Sequence, residues 1–231
     1  MKLIPAPGSK EMQYALEHHY VRKIVDILLQ EIDLDFFRVV AMFLQKYDRP
    51  SLPGFVEKLQ ALHGYYQRRP DEEGRFAVPS HIDAFVKTLA AFYEQDQEVI
   101  DFQRGAIVEL LASGLVCSRC RSDECLGNHR FVDRPSRYES DQVDVAVLSE
   151  IRQQIEGYAC KIKSTGIMSV DCTNLTALAA KAQTLGYGAH IGVVCFDNSN
   201  VIEQRIRKFP LTRSIYAYGL DNFRDLRNSP F

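Results

Sequence analysis

Two neighbouring apolar stretches carry charged residues where buried β-strands should carry hydrophobic ones. Residues 142–148 read Gln-Val-Asp-Val-Ala-Val-Leu and contain one acid, Asp144. Residues 155–163 contain Lys161 and Lys163. Charged side chains are rarely buried without a partner, so an acid and a lysine on adjacent inner strands indicate a functional site. The alternative is an edge hairpin whose lysines point to water.

The elements predicted after residue 100 place these two strands in an α/β domain. Hydrophobic periodicity predicts a helix over residues 102–114 before them. Helices and strands then alternate, with helices over residues 175–185 and 201–208 and strands over residues 190–196 and 214–218. This order predicts a mixed sheet flanked by helices.

This order of elements, with an acid in one strand and Ala159-Cys160-Lys161 in the next, resembles the PD-(D/E)xK nucleases, which have the restriction-endonuclease-like fold. The resemblance covers residues 101–231. Asp144 matches the first acid of the family and Lys161 its lysine, whereas Ala159 stands where the family has glutamate. The resemblance implies a DNA endonuclease that holds catalytic Mg²⁺ or Mn²⁺ at Asp144. It also implies that Glu109, in the first helix, approaches the metal; the alternative is that Glu109 faces solvent.

Ala159 leaves such a metal site one carboxylate short, and three explanations stay open. In the first, the missing acid comes from elsewhere, and the candidates are Glu109 and Asp171. Glu156 is a poor substitute, because strand alternation puts it on the opposite face unless a bulge intervenes. The protein is instead a catalytically dead, zinc-stabilised DNA-binding or adaptor subunit of a larger complex, such as a defence or mobile-element assembly. Finally, Ala159 replaces a native glutamate in an inactivated variant. We expect an endonuclease that is impaired unless glutamate occupies position 159.

Three cysteines and a histidine form a second candidate site. Cys117, Cys120, Cys125 and His129 have the spacing C-x2-C-x4-C-x3-H, and Zn²⁺ prefers four such ligands in a tetrahedron. Disulfides are rare in cytosolic proteins. The spacing therefore predicts a structural zinc that stabilises an insertion over residues 117–129, and the alternative is free or redox-active thiols.

The net charge is −2, from 28 Lys and Arg against 30 Asp and Glu, so the whole chain does not have the charge of a nucleic-acid-binding protein. DNA, the expected partner, would have to bind a local basic patch. The candidates are Lys163, Arg205, Arg207, Lys208 and Arg213. A solvated helix face explains the same cluster.

Residues 1–100 predict a separate helical module. After a flexible lead-in over residues 1–9, apolar residues recur at helical spacing in four segments, and no strand is predicted. We expect an N-terminal domain over residues 1–100, which could dock a protein partner, and a nuclease-like domain over residues 101–231.

Other function classes are disfavoured. The sequence has no apolar run of the roughly 18–20 residues that a membrane span needs, and its start does not have the pattern of a signal peptide. We therefore expect a cytoplasmic protein without membrane contact. A glycine-rich nucleotide-binding loop is also absent from the sequence.

Overall fold

A computed structural model describes residues 2–5, 10–30, 34–46, 52–67, 80–120, 125–132, 141–210 and 214–228. The helices are α1 (Lys10–Glu17), α2 (His19–Gln30), α3 (Leu34–Lys46), α4 (Leu52–Gln67), α5 (Ser80–Tyr93), α6 (Gln97–Cys117), α7 (Ser169–Thr184) and α8 (Ser199–Ile206). The strands are β1 (Lys2–Pro5), β2 (Cys125–Val132), β3 (Asp141–Ser149), β4 (Gln154–Lys161), β5 (Gly188–Cys195) and β6 (Tyr216–Tyr218). In this part of the chain no helix is long and apolar enough to cross a membrane.

The chain divides into two units. One comprises Glu11–Ile107, and the other comprises Met1–Lys10 together with Val108–Phe231. The division falls inside α6, as does the domain boundary expected after residue 100.

The first unit is helical, as predicted. In α2 the residues Val21, Ile24, Val25 and Leu28 are buried, which is the spacing of one helix face. Aromatic residues fill the core, and the Tyr93 hydroxyl donates to the Phe43 carbonyl oxygen at 2.8 Å. The single helix expected at the start of this unit is two helices, because the chain leaves the helical conformation at His18.

The second unit is built on a mixed six-stranded sheet with the order β1-β2-β3-β4-β5-β6. Strands β1 to β4 pair antiparallel, and β4, β5 and β6 pair parallel. The parallel connections are made by α7 and α8, which confirms an α/β unit with flanking helices.

Two strands lie where none was predicted. β1 occupies part of the expected flexible lead-in, and β2 occupies part of the expected zinc-binding insertion. The two strands pair with each other and, through β2, with β3. Neither segment alternates clearly between apolar and polar residues, so periodicity could not identify them.

Helix α7 packs directly on β3 and β4. Gly157 of β4 lies in this contact, and a Cβ atom there would lie 2.3 Å from Leu178 Cδ2, so that the leucine side chain would have to move. The helix begins at Ser169, earlier than the predicted start at residue 175. Asp171 therefore lies in the first helical turn and not in the preceding connection, and this change matters for the candidate site.

Candidate active site

The candidate site lies where β4 ends. Lys161 is the last residue of β4, and Asp144 lies on the neighbouring strand β3. The backbone N–H of Cys160 donates to Asp144 Oδ2 at 2.7 Å. The carboxylate of Asp144 is therefore held beside the Ala159–Lys161 segment, as the spacing of the two charged strands predicts.

Helix α7 adds a second acid to the site. Lys161 Nζ pairs with Asp171 Oδ1 at 2.9 Å, and the side chains are 28% and 14% exposed. The other carboxylate oxygen, Asp171 Oδ2, accepts from the Met168 backbone N–H at 2.8 Å. Asp171 thus acts as the N3 residue of a capping box and binds the lysine at the same time.

Helix α6 contributes Glu109, which is only 6% exposed. Burial and, to a lesser extent, the charge of Asp144 raise the pKa of Glu109 to about 8, against the opposing effect of Lys161. Asp144 therefore lies close enough to Glu109 to disfavour its ionisation. Glu109 is buried, so the alternative that it faces solvent is wrong.

Asp144 and Lys161 also influence each other. Burial raises the pKa of Asp144, although Lys161 and the Cys160 N–H oppose this rise. Burial disfavours the charge of Lys161, but Asp144 and Asp171 outweigh it and raise the pKa of the lysine. The site thus combines a lysine whose charged form is favoured with two acids whose charged forms are disfavoured.

This arrangement fits a divalent cation in part. Mg²⁺ commonly binds through one or two carboxylates, keeps several waters and takes substrate phosphate as a further ligand. Glu109 and Asp144 can supply two such carboxylates, and a cation between them would relieve their repulsion. Among the described residues, however, no cluster of three or more His, Cys, Asp or Glu has the geometry of a complete metal cage.

Ala159 belongs to the apolar core and does not face open space. It is 5% exposed and shares a cluster of buried residues with Ile155, Ile167 and Cys172. A glutamate introduced here would have to extend from apolar surroundings toward Lys161, which lies two residues later on the same strand face.

The carboxylate of Glu156 is bound in a separate hydrogen-bond network. Arg119 donates from Nη1 to Glu156 Oε1 at 2.7 Å and from Nη2 to Oε2 at 2.5 Å. The Tyr158 hydroxyl donates to the same carboxylate, and Arg119 Nε donates to the Leu226 carbonyl oxygen at 2.8 Å. Sequence spacing did not predict this network, because Arg119 and Glu156 lie in elements that only the tertiary fold brings together.

The structure describes the side chains of two of the four predicted zinc ligands. Cys117 is in a disulfide, and Cys120 is half-buried and not in a disulfide. Cys125 and His129 belong to strand β2, but their side chains lie outside the described ones. Zinc binding by all four residues therefore stays a prediction from their spacing, and it would require Cys117 to be a thiolate.

The predicted basic patch is divided. Arg205 donates from Nε and Nη2 to the Ile167 carbonyl oxygen and lies over the Phe209 ring, so it has a structural role. Arg207 is exposed and pairs with Glu203, Lys208 is exposed, and Lys163 is half-buried. Arg213 lies outside the described residues.

The comparisons with known proteins leave the family open. No family model matches the chain, and no curated protein matches it. Among solved structures the chain is similar to protein VC1899 from Vibrio cholerae, at 16% identity and a TM-score of 0.46. The match covers 98% of this chain and 56% of VC1899, so this chain spans about half the length of VC1899. A likeness of this size carries no argument about function.

Proposed function

We propose that this protein is a metal-dependent phosphodiesterase of the endonuclease type, acting on DNA. The observation that carries the proposal is the convergence of Glu109, Asp144 and Lys161 from α6, β3 and β4 at one end of the sheet. Buried acids with raised pKa values beside a lysine are characteristic of catalytic sites. The α/β order of α6, β2, β3, β4, α7 and β5 also supports the proposal, because the resemblance to the nucleases implies a mixed sheet with flanking helices.

Each residue has a defined role in this proposal. A bound Mg²⁺ or Mn²⁺ would polarise the phosphodiester and lower the pKa of an attacking water. Asp144 and Glu109 would hold the cation. Glu109 would have to release its proton for the cation to bind, so binding should strengthen as the pH rises toward 8. Lys161 orients the water and stabilises negative charge on the phosphate. Ala159 supplies no third carboxylate, so we expect slow turnover.

One specific observation favours a second candidate, a catalytically inactive adaptor subunit. Ala159 packs in the apolar core, and both carboxylate oxygens of Asp171 are already engaged. The site then lacks the third acid of the family, and the nuclease-like unit would serve to bind DNA or a protein partner.

The experiment compares the wild type with Ala159→Glu and with the matched neutral control Ala159→Gln. Cleavage of linear, supercoiled and single-stranded DNA and of RNA is measured with Mg²⁺ or Mn²⁺. We expect Ala159→Glu to raise the rate by about 10²–10³, because a missing ligand costs a few kcal/mol of transition-state stabilisation. Ala159→Gln should not produce this gain.

Adding Lys161→Ala to Ala159→Glu should abolish the gain, because the metal does not replace the lysine. Circular dichroism must show that each variant is folded, since position 159 is buried. If folded Ala159→Glu binds no additional metal and cleaves nothing, while Asp144→Ala leaves the biological activity unchanged, the adaptor function replaces the nuclease function.

A structural zinc remains a separate prediction from the C-x2-C-x4-C-x3-H spacing. Elemental analysis of protein purified without chelator tests it directly. One zinc per chain would support the predicted ligands, with Cys117 as a thiolate and not in the disulfide. Protein without stoichiometric zinc would reject the prediction.

A further inference from the structure

Two carboxylates act on Lys161 in different ways. Its Nζ atom pairs with Asp171 Oδ1 at 2.9 Å. Asp144 attracts the lysine electrostatically, but its Oδ2 accepts from the Cys160 N–H, and no Lys161–Asp144 ion pair forms among the described residues. A lysine side chain is flexible enough to choose between two such partners.

Helix α7 holds the carboxylate of Asp171, the partner of Lys161, in place. Asp171 lies in the first turn, and its Oδ2 accepts from the Met168 N–H at 2.8 Å. A carboxylate at this position is favoured by the unpaired N–H groups and the dipole of the helix. The partner of Lys161 is therefore held in place before any ligand arrives.

We propose that Asp171 is a positioning residue that holds the ammonium group of Lys161 away from Asp144 and so keeps Asp144 open to a divalent cation. Without Asp171, the ammonium group would pair with Asp144 and compete with the cation for the same negative charge. This inference rests on the proposed metal-dependent function and adds a residue to that site.

The first test measures Mn²⁺ binding by calorimetry. Asp171→Asn removes the charge but keeps a side-chain oxygen that can accept from the Met168 N–H, as the N3 residue of a capping box does. We expect Mn²⁺ to bind about tenfold more weakly, which corresponds to Lys161 occupying Asp144 in about nine molecules of ten. The double variant Asp171→Asn with Lys161→Met should bind Mn²⁺ as well as Lys161→Met alone.

Asp221→Ala is the matched control. Asp221 accepts from the Ser199 N–H at the start of α8, so the change removes a helix cap without touching Lys161. Mn²⁺ affinity should not change. Binding by Asp171→Asn equal to the wild type would overturn the proposal. A double variant that stays weak would also overturn it, because Asp171 would then be a metal ligand itself.

A second readout does not depend on metal. The rate of Lys161 acylation by an amine-reactive ester, followed by peptide mass spectrometry, reports whether the ammonium group is paired. We expect Asp171→Asn and Asp144→Asn each to leave the rate within about twofold, because the other acid still binds the lysine. The double variant should react severalfold faster, and this non-additivity is the signature of two alternative partners.

The two readouts separate the inference from the proposed function. If the wild type binds no Mn²⁺, the proposed metal-dependent function is wrong. If the effects of Asp171→Asn and Asp144→Asn on the acylation rate are also additive, the placement of Lys161 by Asp171 is wrong as well. A non-additive acylation rate without Mn²⁺ binding would support Asp171 as the residue that places Lys161 and would reject the metal site.

Discussion

Removing Arg119 should destabilise the sheet unit more than any surface change. Arg119 and Glu156 are 11% and 6% exposed, and their side chains form two parallel hydrogen bonds. Arg119→Met leaves the Glu156 carboxylate buried without its cation, which typically costs about 3–5 kcal/mol. The substitution also removes the hydrogen bond to the Leu226 carbonyl oxygen, and the contribution of that bond, about 1 kcal/mol, is included in this total.

The assay is urea denaturation, followed by circular dichroism and by hydrogen exchange in peptides from β4. With a slope of about 2 kcal/mol per molar urea, the midpoint should fall by roughly 1.5–2.5 M. Adding Glu156→Gln to Arg119→Met should recover part of the loss, because the buried charge is removed.

Arg207→Met is the matched control for this experiment. Arg207 pairs with Glu203 at 3.2 Å on the surface, and its side chain is 77% exposed. Exposed pairs contribute about 0–1 kcal/mol, so the midpoint should barely move. A loss below about 1 kcal/mol in Arg119→Met, or no recovery with Glu156→Gln, would refute the reasoning.

Three further predictions concern the site and the surfaces around it. The pKa of Glu109 is raised from 4.5 to about 8, so between these pH values the folded chain keeps a proton that the unfolded chain loses. The free energy of unfolding should therefore fall from pH 4.5 to 8, by at most about 1.4 kcal/mol per pH unit. Glu109→Gln should remove this part of the pH dependence in urea titrations, and identical profiles for the two proteins would contradict it. Gly219→Ala should lower the melting temperature, because a Cβ atom there would lie within 2.6 Å of three backbone atoms, whereas Gly166→Ala meets no atom within 4 Å and should have little effect. Arg207→Ala with Lys208→Ala should weaken DNA binding and reduce the slope of log K against log salt by up to about 1.8, and an unchanged slope would show that these residues do not contact phosphate.

Part of the candidate site could be read from the sequence because its signal is local. Asp144 and Lys161 are charges inside apolar strands, and such charges require a partner wherever the strands lie. The alternation of helices and strands after residue 100 similarly determined the α/β class. The helical character of the described part of the Glu11–Ile107 unit followed from apolar spacing within each segment.

The rest of the site depends on distances that no local pattern contains. Asp171 became a partner of Lys161 only because α7 starts at Ser169, where helix packing on β4 outweighs weak local preference. Glu109 acquires its raised pKa from burial beside Asp144, a residue of another element.

The difference between local and long-range interactions also explains which other features could be predicted from the sequence and which could not. The sequence determined which segments are apolar and which charges they carry, because these properties belong to single residues and their near neighbours. Only the tertiary structure decided that β1 and β2 join the sheet and that Arg119 binds Glu156. Strand pairing and buried ion pairs join residues far apart in the chain, and their stability comes from packing and desolvation that arise only after folding.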